Sequence, residues 1–592
     1  MHSGREMGLV DYVDVLVGTD NRPDFGNGNV LPLMALPWGT HHFSPVNRTD
    51  RDRWFFTHEG VDFSGLRLTH QPSPWMGDWC WLTMMPQTGS LRCRTSERNQ
   101  HLPVGALQCG PDFFACRLPE GIRWDAVPTR HGLSMEFTWE QTMPRRLIFD
   151  AAGLPGSPPV EPMGIRADPG RGVIDLRIRS GVNLHPAFAL HMTVRIRGAR
   201  MVGGGVFDQN GQSTGLPASP ETRATGVWIE LEPGSEAIRC DLAGSFIDKE
   251  AAEGLLETEI ADAPFDSLRQ AAISAWEDIL KRVEATGLDP ERERLLRTMQ
   301  YRTALFPRRL DEPDNRNRPR HRCPDSGLIR SGVRSADQGF WDAARACTSL
   351  SALLYPDHLA TQLEGWLSVA RSTGWLPCWS SPSHRSCMTG TYAEVVFAEA
   401  LAHGIDTGPP EEILGFLRRH VEEGVPDGSP YGREGLDEYL TLGYIPHERL
   451  VKSVARTLDY AYGDWCIGKI ALISGDRELA GHCFKRGRNW QNLLCPETGF
   501  FRGRHSDGSW LEPFDPCTWG GPYVEGSAWQ FAWAVPHQPE ELIAARGGRE
   551  PARAFLQALL QAPPHFEKGT YPEVIHEMRE MAAVDFGQYA HS

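Results

Sequence analysis

The pattern of apolar and polar positions changes near residue 262. Before it, short stretches rich in β-branched and aromatic residues recur between turn residues, and several alternate apolar with polar positions. Such alternation is typical of half-buried antiparallel strands. The clearest stretches are residues 171–182, 188–205 and 225–242. Residues 1–262 are therefore predicted to form a β-sandwich domain.

After residue 262 the apolar positions recur at helical spacing. Residues 266–287 carry an apolar face closed by Gly287, which predicts one amphipathic helix. The members of this face are Leu268, Ala272, Trp276, Ile279, Leu280 and Val283. Similar segments are residues 291–306, 358–374, 391–404, 411–424, 453–475, 552–562 and 573–584. We therefore predict an α+β multidomain protein with a helical linker over residues 263–300 and a helical domain over residues 301–592.

Composition narrows the possible functions. The net charge of −16 argues against binding to nucleic acid, which needs a basic face, and against docking on anionic lipid. No stretch has the roughly 18 apolar residues that a membrane-spanning helix needs. The 13 cysteines are odd in number and scattered, which is typical of free thiols in a reducing compartment. With no secretory signal visible in the opening residues, a cytoplasmic location is predicted, and export from a start codon further upstream is the alternative.

The residues that could bind or act on a substrate lie in loop-like stretches that are rich in aromatic residues. The chain has 19 tryptophans, and flat indole rings can stack on sugar rings, although most tryptophans fill cores. One stretch joins His70, Trp75 and Asp78, and another joins Trp341, Asp342 and Arg345 at a predicted helix start. A local ion pair is the alternative interpretation of Asp342 and Arg345, and a hydrogen-bonded structural histidine is that of His70.

The stretch YVEGSAWQFAWAVPH, residues 523–537, places a single carboxylate, Glu525, among four aromatic side chains. One interpretation is structural, because an acid near a helix start interacts favourably with the helix dipole. The other is catalytic, because an apolar setting raises the pKa of a carboxyl group until it can donate a proton near neutral pH. The residues alone leave both interpretations open.

Taken in order, these stretches resemble glycoside hydrolase family 92, the calcium-dependent exo-acting α-mannosidases. The stretches that carry the resemblance are residues 13–20, 28–45, 63–86, 275–307, 339–356, 374–381, 453–465, 514–516, 523–537 and 585–592. The resemblance implies an antiparallel β-supersandwich followed by an (α/α)6 toroid, with the active site between them. It also implies that a calcium ion assists hydrolysis of terminal α-linked, mainly α-1,2-linked, mannose from oligosaccharides or N-glycans, with inversion.

Inversion requires a general acid and a general base about 6.5–9.5 Å apart. The family's acid lies in the motif matched by YVEGSAWQ, so the resemblance implies that Glu525 is the general acid. The segments that line the family's mannose pocket are matched here by His70, Trp75, Asp78, Trp341, Asp342 and Arg345.

The chain also departs from the family pattern. Ser527 stands where an Asn is usual, Thr391 stands where an acid is common, and His537-Gln538 replaces a His-Asp pair. The family's calcium loop and the Asp-rich motif that supplies its base follow the stretch that ends here at Ser592. The toroid is therefore expected to be incomplete, with the base and most calcium ligands outside this chain, so the 592 residues alone are expected to have little activity. Two alternatives are a non-catalytic mannoside-binding remnant and another carbohydrate enzyme built on an (α/α)6 toroid.

Overall fold

The computed structural model describes residues 7–22, 25–103, 105–140, 143–217, 222–234, 236–561 and 567–568. The chain forms two compact units. The first comprises residues 1–22 and 27–337, and the second comprises residues 23–26 and 338–592.

The first unit contains two antiparallel sheets. The nine-stranded sheet has the order Thr222–Ala224, Met163–Asp168, Val173–Ile178, Leu190–Arg197, Ile238–Ser245, Gly132–Trp139, Ile122–Pro128, Phe114–Leu118 and Leu107–Cys109. The seven-stranded sheet has the order Gly211–Gln212, Met201–Asp208, Gly226–Leu231, Arg145–Asp150, Leu82–Gln87, Gly65–Thr69 and His42–Val46. Shorter strands of this unit are Asp20–Arg22, Asp62–Phe63, Gln100–His101, Arg308–Arg309, Glu312–Pro313, Pro319–Arg322, Ile329–Ser331 and Ser335–Ala336. The short strand Phe25–Asn27 begins in the residues of the second unit and ends in those of the first.

Apolar residues of both sheets form one buried core, as the alternation predicted. In the strand Phe114–Leu118, for example, residues 114, 116 and 118 are buried and the two between them are not. This core joins side chains such as Trp124, Ile148 and Leu242 from the two sheets, which makes the unit a sandwich.

Helices accompany the sandwich in the same unit. They are Leu9–Tyr12 (a 3-10 helix), Thr95–Arg98, Lys249–Glu259, Phe265–Leu280 and Pro290–Thr303. Leu255 and Leu256 pack with Val127 of the nine-stranded sheet, so one helix face covers that sheet.

The predicted helix over residues 266–287 ends earlier, at Leu280. The side chain of Arg297 explains the end, because its Nη1 donates to the carbonyl oxygens of Leu280 and Val283, at 2.9 and 2.8 Å. The bond to Leu280 satisfies a carbonyl group at the end of the helix that has no partner within it. Val283 therefore lies beyond the helix and not on its face.

The second unit is helical. Its helices are Phe340–Ala343, Cys347–Leu354, Pro356–Thr373, Ala393–Ala402, Pro410–Glu422, Leu436–Leu442, Ser453–Ile473, Arg477–Arg486, Asn489–Asn492 (a 3-10 helix), Ala528–Phe531, Pro539–Ala545 and Arg549–Gln561. Short strands are Gln338–Gly339, Trp379–Ser380, Thr518–Trp519 and Glu567–Lys568. The long helix Ser453–Ile473 is buried on several faces and lies at the centre of this unit's core.

The predicted fold class, a β-sandwich followed by a helical domain, is confirmed. The predicted helix at residues 573–584 lies outside the described residues, and the predicted boundaries at residues 262 and 300 stay predictions. Among the helices of the described ranges, none combines the length and the apolar character that crossing a membrane requires.

A buried ion network in the second unit joins the helices Ala393–Ala402 and Ser453–Ile473 through Arg433, which precedes the helix Leu436–Leu442. Arg433 donates to Asp464 Oδ1 at 2.6 Å and to Glu394 Oε1 at 2.9 Å, and all three side chains are almost fully buried. Thr391 also donates to Glu394, at 2.6 Å. Burial acts to raise the pKa of Glu394, but hydrogen bonding with His420 and the charge of Arg433 hold that pKa well below its usual value.

Candidate active site

A tight turn presents Glu525. The amide of Gly520 donates to the carbonyl of Gly526 at 2.9 Å, and Glu525 has a φ of 45°, which is rare for a residue with a side chain. Two residues later, Ser527 caps the helix Ala528–Phe531 by accepting from the amide of Trp529. Such strain at a residue with a side chain is often found at functional sites, because the surrounding structure must hold it in place.

The carboxyl of Glu525 is tuned to hold a proton near neutral pH. Burial, followed by the negative charge of Asp342, raises its pKa to about 7, while the charge of Lys452 acts in the opposite direction. Glu525 is half-buried, so the carboxyl is desolvated and also accessible. The catalytic interpretation of this position requires such a group.

Asp342 lies on the short helix Phe340–Ala343 in the same unit. The helix start is fixed because Phe340 donates its amide to the carbonyl of Cys378 at 3.1 Å. Gly339 is required there, since a Cβ at this position would lie 2.0 Å from the indole nitrogen of Trp379. Burial raises the pKa of the Asp342 carboxyl, and the charge of Arg345 and a hydrogen bond with Trp379 oppose that rise.

Arg345 is held by aromatic and polar contacts. Its guanidinium lies 4.5 Å from the ring centre of buried Trp341, and its Nη2 donates to the hydroxyl of Tyr392 at 3.3 Å. Tyr392 in turn donates to Asp459 at 2.7 Å. Tyr392 thus links Arg345 to the buried carboxylate of Asp459 through two hydrogen bonds. The sequence had indicated only Asp342 as a partner of Arg345.

Two further residues, Lys452 and Cys387, interact with Glu525, and the sequence did not identify either as part of the site. Lys452 precedes the helix Ser453–Ile473, and its amide donates to the carbonyl of Gly521 in the turn before Glu525, at 2.8 Å. Burial and the charges of Asp342 and Glu525 raise the pKa of Cys387 to about 11. Neither residue belongs to a recognisable motif, so only the folded chain reveals them.

His70 and Asp78 lie in the first unit and hold a loop together. Asp78 accepts from Arg67 Nε at 3.0 Å, from the hydroxyl of Thr69 at 2.8 Å and from the amide of His70 at 2.7 Å. His70 donates from Nδ1 to the carbonyl of Trp79 at 2.7 Å, and its imidazole stacks on the indole ring of Trp79. Burial lowers the pKa of His70 well below its usual value. These contacts give His70 and Asp78 a structural role in the loop. Their role in mannose binding stays a prediction.

Trp75 differs from its neighbours because 47% of it is exposed. Its ring meets Trp54 edge-on, with the ring centres 6.5 Å apart. An indole in this setting is available for stacking on a sugar ring. Of the three residues predicted in this loop, Trp75 alone presents a large exposed face.

A cavity of about 900 Å³ lies within the helical unit. Arg345, Tyr392 and Asp459 line it together with Tyr462 and Trp465, whereas Glu525 and Asp342 do not. This cavity therefore meets the candidate site only at Arg345. The interaction between the carboxyl groups of Glu525 and Asp342 marks the candidate site instead.

The described ranges contain no evident group of side chains that could hold a calcium ion. Within them, no group of three or more His, Cys, Asp or Glu side chains is arranged to hold a metal ion. Calcium prefers several oxygen ligands at once, so these side chains alone do not fit the predicted ion.

The fold and the site define a class of protein. A half-buried carboxyl with a pKa near 7, beside a second carboxyl and indole rings, is suited to donate a proton to a glycosidic oxygen. The fold and this group are what a glycoside hydrolase requires.

The chain belongs to glycosyl hydrolase family 92. The model of the family's N-terminal domain matches residues 12–245, and the model of its catalytic domain matches residues 251–592. The resemblance noted from the sequence is confirmed.

Solved structures and a fungal relative agree with this assignment. An inverting GH92 mannosidase from Bacteroides thetaiotaomicron is 31% identical, with a TM-score of 0.90 over 100% of this chain and 79% of that one. A GH92 α-mannosidase from the same species, in complex with mannoimidazole, is 22% identical, with a TM-score of 0.79 over 93% of this chain and 74% of that one. A protein of Arthroderma benhamiae described as an uncharacterized secreted glycosidase is 22% identical, over 93% of this chain and 74% of the relative.

Proposed function

We propose that this protein hydrolyses terminal α-linked mannose, mainly α-1,2-linked, from oligosaccharides or N-glycans, with inversion at the anomeric carbon. The observation that carries the proposal is the carboxyl of Glu525, whose pKa of about 7 suits a general acid. Family membership and the similarity to an inverting mannosidase support the substrate and the stereochemistry.

In this proposal Glu525 is protonated below about pH 7 and gives its proton to the glycosidic oxygen as the bond to the leaving sugar breaks. Asp342 accepts hydrogen bonds from hydroxyl groups of the bound mannose, and its charge keeps the proton on Glu525 until transfer. Arg345, held over Trp341, supports the same pocket.

The experiment is to incubate the protein, expressed from its full-length gene, with α-1,2-mannobiose and to follow the products by proton NMR. We expect mannose to be released and the β-anomer to appear first, because an inverting enzyme makes the opposite anomer directly. A β-linked mannobiose serves as the control and should remain intact. Release of the α-anomer first, or cleavage of the control alone, would contradict the proposal.

Dependence on calcium is a further part of the proposal, supported by the family resemblance alone. We expect EDTA to abolish mannose release and added Ca²⁺ to restore it, with Mg²⁺ as the control ion. Magnesium should restore little activity, because it demands a smaller and more regular site. Full activity in EDTA would show that the reaction proceeds without the ion.

For the compartment, we propose the cytoplasm. All thirteen cysteines lie in the described part of the chain, and each is a free thiol there, which is typical of a reducing environment. Cell fractionation tests this proposal, and accumulation of the protein in the medium would contradict it.

A further inference from the structure

Tyr392 lies between a cation and a carboxylate in the helical unit. Its hydroxyl accepts a hydrogen bond from Arg345 Nη2 at 3.3 Å and donates one to Asp459 Oδ1 at 2.7 Å. The guanidinium carbon of Arg345 also lies 5.5 Å from the ring centre of Tyr392 and 4.5 Å from that of Trp341. Because a guanidinium that both stacks on rings and donates a hydrogen bond is restricted in orientation, these contacts hold Arg345 in one place.

The loop before the helix Ala393–Ala402 closes tightly on Asp459. Thr389 donates its hydroxyl to Asp459 Oδ2 at 2.6 Å, so both oxygens of this buried carboxylate accept hydrogen bonds. Tyr392 has a φ of 52°, and a Cβ at Gly390 would lie 2.8 Å from the Cβ of Asp459. A loop held under such constraint indicates that the position of this carboxylate is important to the neighbouring site.

Two carboxylates share the charge of Arg345. Desolvation raises the pKa of both Asp459 and Asp342, and the charge of Arg345 opposes that rise in each. The more of this positive charge Asp459 offsets, the less of it is left to offset Asp342. Asp342 in turn is the charged group that raises the pKa of Glu525, in addition to burial.

We propose that Tyr392 and Asp459 are positioning residues for the general acid. They hold Arg345 and take up part of its charge, so that Asp342 keeps the negative charge that retains the proton on Glu525. This role requires no contact between either residue and the substrate. The inference rests on the proposed mannosidase function and adds to it an indirect control of the catalytic proton.

Other ionisable groups also interact with these residues. They are Lys452 and Cys387 near Glu525, Arg456 near Asp459, and Tyr462 near Tyr392. Because these groups are the same in every variant below, a difference between the variants reports the effect of Arg345 on Asp342.

The test follows the alkaline limb of kcat/KM for α-1,2-mannobiose in Tyr392→Phe and in Asp459→Asn, with the protein expressed from its full-length gene. Tyr392→Phe keeps the ring and removes both hydrogen bonds of the hydroxyl, whereas Asp459→Asn keeps the shape and removes the charge. In each variant more of the Arg345 charge offsets Asp342. The limb should therefore move to lower pH, by about half a unit or more.

The matched control is Tyr439→Phe. Tyr439 is also buried, and it donates at 3.1 Å to Asp464, which lies on the same long helix as Asp459. The change removes a comparable buried hydrogen bond, but Asp464 pairs with Arg433 at 2.6 Å, so the limb should stay in place. An equal movement in this control, or an unmoved limb in Tyr392→Phe or Asp459→Asn, would overturn the proposal.

Combining Tyr392→Phe with Asp342→Asn tests whether the effect passes through Asp342. Without the charge of Asp342, the loss of the Tyr392 hydroxyl should move the limb no further, because the two changes act on one interaction. A full additional movement in the double variant would mean that Tyr392 acts on the acid in another way, and the proposal would be wrong.

A measurement without turnover separates this inference from the proposed function. The difference between the proton-binding curves of the protein with and without Glu525→Gln gives the titration of Glu525 alone, and we expect it to move to lower pH in Tyr392→Phe. If it moves but no mannoside is cleaved by wild type, the mannosidase proposal fails alone. If wild type cleaves α-1,2-mannobiose and this titration does not move, the positioning role fails alone.

Discussion

Glu525→Gln is expected to lower kcat/KM for α-1,2-mannobiose by about 10²–10⁴-fold. The amide matches the carboxyl in size but cannot give a proton to the glycosidic oxygen, so the leaving sugar would depart as an unstable alkoxide. The measurement is mannose release by the purified variant against wild type. Melting temperature should be little changed, because Glu525 is half-buried and the substitution keeps its shape.

The leaving group provides the control for this variant. A dinitrophenyl α-mannoside releases a stable anion and needs little help from an acid, so the same variant should lose far less activity on it. An equal loss on both substrates would mean that Glu525 supports binding or folding and does not donate the proton. Unchanged activity on mannobiose would remove Glu525 from the mechanism.

Arg433→Met is expected to destabilise the helical unit strongly. It leaves the buried carboxylates of Glu394 and Asp464 without the cation that they share. Breaking a buried ion pair in this way costs about 3–5 kcal/mol. We expect that loss in the free energy of unfolding, measured by urea titration and followed by circular dichroism of the helices.

Arg449→Met is the matched control, because Arg449 also pairs with two carboxylates but is exposed. Exposed ion pairs contribute about 0–1 kcal/mol, since water and salt screen them. The losses of the two variants should therefore differ by at least about 2 kcal/mol. Similar losses for both variants would mean that burial of the Arg433 network adds nothing to stability.

The fold was largely predictable because its signals are local. Neighbouring positions alone define the alternation along residues 171–182 and the helical spacing along residues 453–475. The strand Val173–Ile178 and the helix Ser453–Ile473 lie where these patterns predict them. The end of the helix at Leu280 was not predictable, because it depends on Arg297 from the next helix. Periodicity cannot report a contact made by another part of the chain.

The candidate site was predictable only in part for the same reason. Glu525 and Asp342 were identified from short motifs, and folding brings them close enough for their charges to interact. Lys452 carries no motif, and its place beside Glu525 follows from one backbone hydrogen bond to Gly521. The network of Asp78 with Arg67 was also hidden, because a sequence does not show which buried carboxylate pairs with which cation.

The pH dependence of kcat/KM in wild type, Asp342→Asn and Lys452→Met tests most directly whether Glu525 is a tuned general acid. The alkaline limb of this profile reports the acid of the free enzyme, and it should lie near the pKa of about 7 in wild type. Removing the negative charge of Asp342 should move the limb to lower pH, and removing the positive charge of Lys452 should move it to higher pH. A limb that stays in place in both variants, or moves the same way in both, would contradict the account.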